Sequence, residues 1–370
     1  MTEQAHAGSS GRRLWTELFV LSILSLYVEL LAIKWLSADI RAFSIFRSFP
    51  LIACFVGFGL GYAVRDNKLF KYTAFAILQM VLTIKLVEWV GLAFLAFPTA
   101  SVFQFSVSTI GGIGQWGNLL FFMLLLVLLL AAPFGCCVCI GARIGILFDQ
   151  LPPLPAYAVN LMGAFAGSIL FTAFSFLGFA PWSLLIVSAL IFAYQLWQSG
   201  SLKGNLPVIV GLIVAPVLAA IPGPKESMPL YEKATAQLEP EKMTRWSPYQ
   251  RLDINVFQFK ERLPELKSDF LGLELGTNRS FYQYFFNPDL NPRMQGLSPT
   301  LAQLLRERDS QYSFPLKLKP AADDVLIIGA GAGQDASQAL KLGAKNIDAV
   351  EIDPVIIDIG KKFNPYYHNP

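Results

Sequence analysis

From residue 14 to residue 222 the chain consists of long apolar runs separated by short polar ones; beyond residue 223 the two kinds of position mix as in a water-soluble protein. A helix crossing a bilayer needs about 20 mostly apolar residues. Seven segments meet or approach that length: 14–36, 44–64, 72–97, 119–148, 156–178, 181–198 and 205–222. The fourth is long enough to tilt or to extend past the lipid. The last carries Pro207 and Pro216 and is the weakest. The pattern predicts a transmembrane helical domain over 1–222, with six or seven spans. "GFGLG" at 57–61 and "GAFAG" at 163–167 place small residues one helical turn apart, which permits close helix contact.

The period changes after the Pro- and Gly-containing linker "IPGPKESMP" at 221–229. "RLDINVFQF" at 251–259 alternates polar and apolar residues, as a half-buried strand does. "LGLELGTNRSFYQYFF" at 271–286 reads as a strand, a turn at Gly276 to Asn278, and a second short strand or helix start. Together they predict a small β-rich unit within 223–320. "SPTLAQLLRER" at 298–308 has a Ser cap, Pro at the first helical position and helical spacing of Leu301, Leu304 and Leu305. Residues 321–370 then read as strand, glycine loop, helix, strand and helix start. Val325 to Ile328 is a short apolar run suited to a strand buried on both faces of a parallel sheet.

Composition sharpens this division. The chain is 54% hydrophobic and 15% charged, against about 25% charged in soluble domains. A net charge of +3 is too small to argue for nucleic acid. The four cysteines, Cys54, Cys136, Cys137 and Cys139, all lie in apolar runs, and the two histidines, His6 and His368, are at opposite ends. Neither arrangement suits a metal site. Glu17, Glu29, Lys34, Lys85 and Glu88 fall inside apolar segments, where ions pair or line a wet cavity. Lys85 and Glu88 are one helical turn apart and should pair; Glu17 and Lys34 should snorkel at span ends. Arg12, Arg13, Arg65, Lys68 and Lys71 mark one side as cytoplasmic. An interfacial or re-entrant course for 205–222 would return the C-terminal part to that side.

The glycine loop carries the chemistry. Gly329, Gly331 and Gly333 let the backbone turn tightly and approach a ligand. The helix starting near Gln334 aims its N-terminus at the same place. Glu351 ends the second strand, 18 residues after Gly333, where a carboxylate can accept both hydroxyls of a ribose. As a polar tip at a sheet edge it should carry little packing. The dinucleotide fingerprint is G-x-G-x-x-G/A. Here Gln334 occupies the third small position, and the glycines run G-x-G-x-G. That spacing is similar to the first motif of S-adenosylmethionine-dependent enzymes.

"WSPYQRLDI", "VLIIGAGAG" and "DAVEIDPVIIDIG" together resemble the spermidine synthase (polyamine aminopropyltransferase) family, and more closely its bacterial membrane-bound members. "LYVELLAIKWL" and "FVGFGLG" are similar to the first two spans of the latter. The resemblance implies a multi-span α-helical membrane domain, a small β unit and the start of an α/β Rossmann-like methyltransferase domain. It implies S-adenosylmethionine or decarboxylated S-adenosylmethionine as cofactor, an amine or other small nucleophile as acceptor, and the lipid bilayer, that of a bacterial inner membrane, as partner. It carries nucleoside contact to Gln250 and ribose binding to Glu351. Two features depart from the family: Ala332 stands where an Asp helps hold the aminopropyl amine, and "FYQYFFNPDL" lacks the tyrosine-histidine-glutamate stretch of the polyamine site. Asp335, nearby, is a candidate substitute. The candidate cofactor-binding set is therefore Gln250, Gly329, Gly331, Gly333, Asp335 and Glu351. By the same resemblance about five further strands should follow the second, so the sequence is expected to be a fragment cut within its catalytic domain, and no catalytic residue is named. A rival reading is a transporter or channel with a nucleoside- or polyamine-sensing domain.

Overall fold

The computed structural model describes residues 2–92, 114–198, 206–223, 238–319 and 322–364, apart from 262, 267, 288 and 292. The end of the third apolar segment and most of the linker fall outside these residues. The chain divides into two compact units, Met1–Pro224 and Lys225–Pro370.

The first unit is helical: α1 (Thr2–Asp39), the short α2 (Arg41–Ile45), α3 (Ser48–Val64), α4 (Thr73–Trp89), α5 (Gly114–Gln150), α6 (Pro153–Phe176), α7 (Pro181–Gln198) and α8 (Leu206–Ala220). Among the described residues, four stretches are long and apolar enough to cross a membrane: Gly11–Asp39, Phe70–Trp89, Leu119–Gln150 and Pro153–Phe176. Two further apolar helices, Ser48–Val64 and Leu206–Ala220, are shorter. Of the six or seven expected spans, four are thus of full length among the described residues. Segment 44–64 loses length because the chain breaks between α2 and α3, where Phe46 leaves helical geometry.

Small residues set the two tightest seams. A Cβ on Gly57 or Gly61 would come within 2.5 Å of the Phe134 or Val138 carbonyl oxygen, so α3 lies backbone against backbone on α5. Gly163 and Gly167 do the same for α6 on α1, at 2.6 Å from Phe19 O and 2.5 Å from Ile23 O. In lipid, where apolar burial drives nothing, such close van der Waals contact is what holds helices together.

Two of the buried carboxylates, Glu17 and Glu88, are paired. Lys85 donates to Glu88 at 3.0 Å and to the Ile221 carbonyl at 2.7 Å. Glu17 does not snorkel: it is buried and takes an ion pair from Arg143 at 2.5 Å, and Arg143 also donates to Asn67 at 3.0 Å. A carboxylate inside a bundle is costly without a partner, and α5 supplies one. Arg65 pairs with Asp149, and Arg13 donates to the Gln198 carbonyl. The start of α1 and the ends of α3, α5 and α7 therefore share one end of the bundle. Gly211 lies beside Ala74 and Ile221 beside Lys85, so α8 runs parallel to α4 and finishes at the opposite end. That is not the returning course expected for 205–222.

The second unit opens with an antiparallel meander, β1 (Leu238–Trp246), β2 (Arg251–Phe259), β3 (Phe270–Thr277) and β4 (Ser280–Phe286). β1 was not legible in advance. Asn278 and Arg279, at φ 48° and 58°, make the β3–β4 turn, two residues beyond where the glycine suggested it. α9 (Pro299–Leu318) starts as its cap predicts, with Ser298 accepting the Leu301 N–H at 3.3 Å. Next come β5 (Asp324–Ile328), α10 (Gln334–Lys341), β6 (Asn346–Val350) and α11 (Pro354–Phe363), with β5 and β6 parallel.

The meander is covered on both faces, so β2 and β3 are buried through their middles instead of alternating. One face packs Phe257, Tyr284 and Phe286 on Leu301 and Leu305 of α9. The other packs Ile254, Leu275 and Phe285 on Ala332 of the glycine loop and on Ile356 and Ile359 of α11. β5 differs from expectation in the opposite sense. Ile328 is 83% exposed, so the strand is not buried on both faces. Among the described residues β6 is its one strand neighbour.

Candidate functional site

The site forms where β5 and β6 end. Gly329, Gly331 and Gly333 have φ of 76°, 58° and 88°. These values lie in the left-handed region that side chains other than glycine seldom adopt. No atom lies within 4 Å of where a Cβ on Gly329 would project, so the loop is open there. At Gly331 a Cβ would instead run into the Gln283 amide oxygen.

Glu351 follows β6 directly and turns its carboxylate onto the loop. Its Oε2 accepts the Gly331 N–H at 2.9 Å, and its Oε1 accepts the Asp353 N–H at 2.9 Å. Two backbone donors thus fix the carboxylate's orientation and leave further lone pairs on each oxygen. Far from being a loose tip at a sheet edge, it ties the end of β6 to the loop. Asp353 is buried and caps α11, accepting the Val355 N–H at 3.0 Å. Its other oxygen accepts from Gln250 Nε2 at 3.2 Å.

Gln250 closes the β1–β2 hairpin. In "SPYQ", the Ser247 hydroxyl oxygen accepts the Gln250 N–H at 3.0 Å, and the Ser247 N–H donates to the Gln250 carbonyl at 2.9 Å. This tight turn carries the Gln250 side chain to Asp353. The fold therefore brings Gln250, Glu351 and the three glycines to one place. Asp335 stands in the first turn of α10, and burial raises its pKa above the usual carboxylate range.

Reading the sequence missed two side chains. β3 and β4 slip register between Leu275, which faces Gln283, and Gly276, which faces Phe281. Tyr282 is the extra residue of this bulge, and bulges re-aim side chains. The Tyr282 hydroxyl lies 3.5 Å from Glu351 Oε2. Burial first, then the nearby Glu351, Asp353 and Asp335, push its pKa up to about 12. The phenol stays protonated and sits among three carboxylates. Gln283, buried, accepts the Ala332 N–H at 2.8 Å and sets its Nε2 3.5 Å from the Ala330 carbonyl. The one signal in sequence was a lone amide, Gln283, inside an otherwise aromatic run, and periodicity gives no warning of a bulge. Asn364, also buried, donates from below to the carbonyls of Ala332 at 3.1 Å and Gly333 at 3.2 Å.

No curated protein and no solved structure matches the chain. Residues 310–370 match the family model of the spermine/spermidine synthase domain, a stretch that takes in the end of α9, β5, the glycine loop, β6 and α11 and supports a spermidine synthase-like family for that part of the chain.

Proposed function

We propose that this chain belongs to a membrane-anchored, spermidine synthase-like transferase. Its Lys225–Pro370 unit would contribute β5, the glycine loop and β6 to a Rossmann-like domain that binds an adenosyl-sulfonium cofactor. The match over 310–370 supports aminopropyl transfer at a coarse level, and that family works with decarboxylated S-adenosylmethionine. Ala332, in place of the family's aspartate, keeps methyl transfer from S-adenosylmethionine as the second form of the same reading.

The observation that carries the proposal is Glu351, held by two backbone N–H groups at the open, glycine-lined end of the parallel strands. Ligands of open α/β sheets bind outside the carboxyl ends of the strands. A carboxylate anchored there can accept two ribose hydroxyls without reorganising. The nearby Asp335 and Asp353 add negative charge, which favours a sulfonium or an ammonium over an anion.

When bound, the sulfonium makes its neighbouring carbon electrophilic. The chain would supply position: Glu351 holds the ribose, the loop seats the nucleoside, and Gln250, tied to Asp353, borders it. Aligning two reactants is a large part of such a rate enhancement. Two of the intramembrane pairs, Glu17 with Arg143 and Lys85 with Glu88, serve the packing of the bundle.

Four long apolar helices support membrane anchoring. Outward-facing Phe55 and Phe165, each 66% exposed, suit lipid better than water. Calorimetry of the full-length protein tests the assignment: micromolar binding of S-adenosylmethionine, its decarboxylated form or methylthioadenosine is expected, and tight NAD binding with no response to these would refute it.

A further inference from the structure

We propose that Gln283 makes the glycine loop blind to phosphate, and so selects nucleosides over nucleotides; this rests on the adenosyl reading of the site. A loop that cradles phosphate must aim free backbone N–H groups at it. Here all five loop donors have partners. Gly329 and Ala330 donate to the Val350 carbonyl at 2.8 and 3.0 Å, and Gly333 donates to the Ala330 carbonyl at 2.9 Å. These three bonds are internal to the β5–β6 end. The remaining two donors, Gly331 and Ala332, are taken by side chains: Glu351 at 2.9 Å and Gln283 at 2.8 Å. Each places an oxygen where a phosphate oxygen would have to sit.

Gln283 reaches the loop from a separate strand, because the bulge at Tyr282 changes the register of β4. Its amide orientation is set by its neighbours: Oε1 faces an N–H, and Nε2 faces the Ala330 carbonyl. The position needs one acceptor and one donor together. An ionised carboxylate would offer two acceptors and face the Ala330 carbonyl with like charge. A protonated carboxyl would restore the original pair. Gly331 fits the same picture, since only a residue without a Cβ leaves room for that amide oxygen.

The test uses the full-length protein in detergent and reads binding of methylthioadenosine, ADP and NAD by calorimetry. Wild type should bind methylthioadenosine and neither phosphate compound at equal concentration. Gln283→Met should weaken methylthioadenosine by about tenfold and narrow that discrimination, the effect of one lost buried hydrogen bond. Gln283→Glu should bind weakly at about pH 8 and recover towards wild type at about pH 5.5, as the buried carboxyl takes up its proton. This second variant compares one folded protein with itself, so it decides the matter even if Gln283→Met fails to fold. A Gln283→Met protein with wild-type affinity and selectivity, or a Gln283→Glu protein with the wild-type pH profile, would overturn the role of Gln283 alone. Wild type binding ADP or NAD more tightly than methylthioadenosine would overturn the adenosyl reading, and this inference with it.

Discussion

Glu351 is tied to two backbone amides and is the residue proposed to hold a ribose, so changing it should touch both binding and folding. In Glu351→Gln one oxygen becomes an NH2 group and must face the N–H of Gly331 or Asp353. Adenosyl affinity should fall about tenfold or more, since charge-assisted bonds are worth roughly 1.5–3 kcal/mol. The thermal midpoint of the second unit should fall as well, which a melt followed alongside calorimetry would show. Asp353→Ala should weigh more on stability: a loss of about 1 kcal/mol from the α11 cap, with a smaller loss of affinity as Gln250 loses its tether and the site one negative charge. Asp335 gives a pH test. Burial raises its pKa, so the folded state holds that proton more tightly than the unfolded chain does. Its contribution to stability therefore declines as pH rises from the usual carboxylate range through the raised folded value. Asp335→Asn should be the more stable protein above that window and should lose the advantage below it, in thermal melts run across acid pH.

At the scale of elements, the glycines divide by purpose. Gly331→Ala combines a left-handed φ of 58° with a Cβ directed into Gln283. It should cost about 1–3 kcal/mol and abolish ligand binding, because the loop cannot keep its shape. Gly167→Leu acts in the other unit. With Ile23 O only 2.5 Å from a Cβ there, α6 must move off α1. A lower melting temperature of the purified protein in detergent is expected, with the second unit's ligand affinity unchanged. The pairs "GFGLG" and "GAFAG" were recognisable beforehand from one-turn spacing alone, since that spacing survives any arrangement of the helices. The bulge in β4 was not, because register is decided between strands and leaves no trace in one of them.

At the scale of the whole molecule, the bundle predicts its own topology. Arg65 to Lys71 lie at the end shared by the start of α1, whereas Ile221 meets Lys85 at the other. Single cysteines at positions 68 and 222, probed with an impermeant thiol reagent on intact cells, should show opposite accessibility; equal labelling would contradict the course of α8. The native cysteines are buried and should stay silent. α8 is only 15 residues, about 22 Å of helix against roughly 30 Å of hydrocarbon. As a membrane span it would need a thinned bilayer or snorkelling helix ends.

Much of this protein could be read without coordinates because the signals are local. Apolar run length marks helices, Ser298 with Pro299 marks the start of α9, and three glycines before Gln334 mark a loop that needs left-handed backbone. Glu351 was identified by its distance from the loop, because a strand–loop–helix–strand unit has nearly constant length. What only the tertiary structure decided concerns partners distant in sequence. It paired Glu17 with Arg143, took Gln250 to Asp353, and covered both faces of a meander whose β2 reads as half-buried. Above all it sent Gln283 to the Ala332 amide. Each of these depends on which surfaces meet, and a chain's local preferences constrain its backbone at each residue far more strongly than they constrain which remote side chain will satisfy a given hydrogen bond.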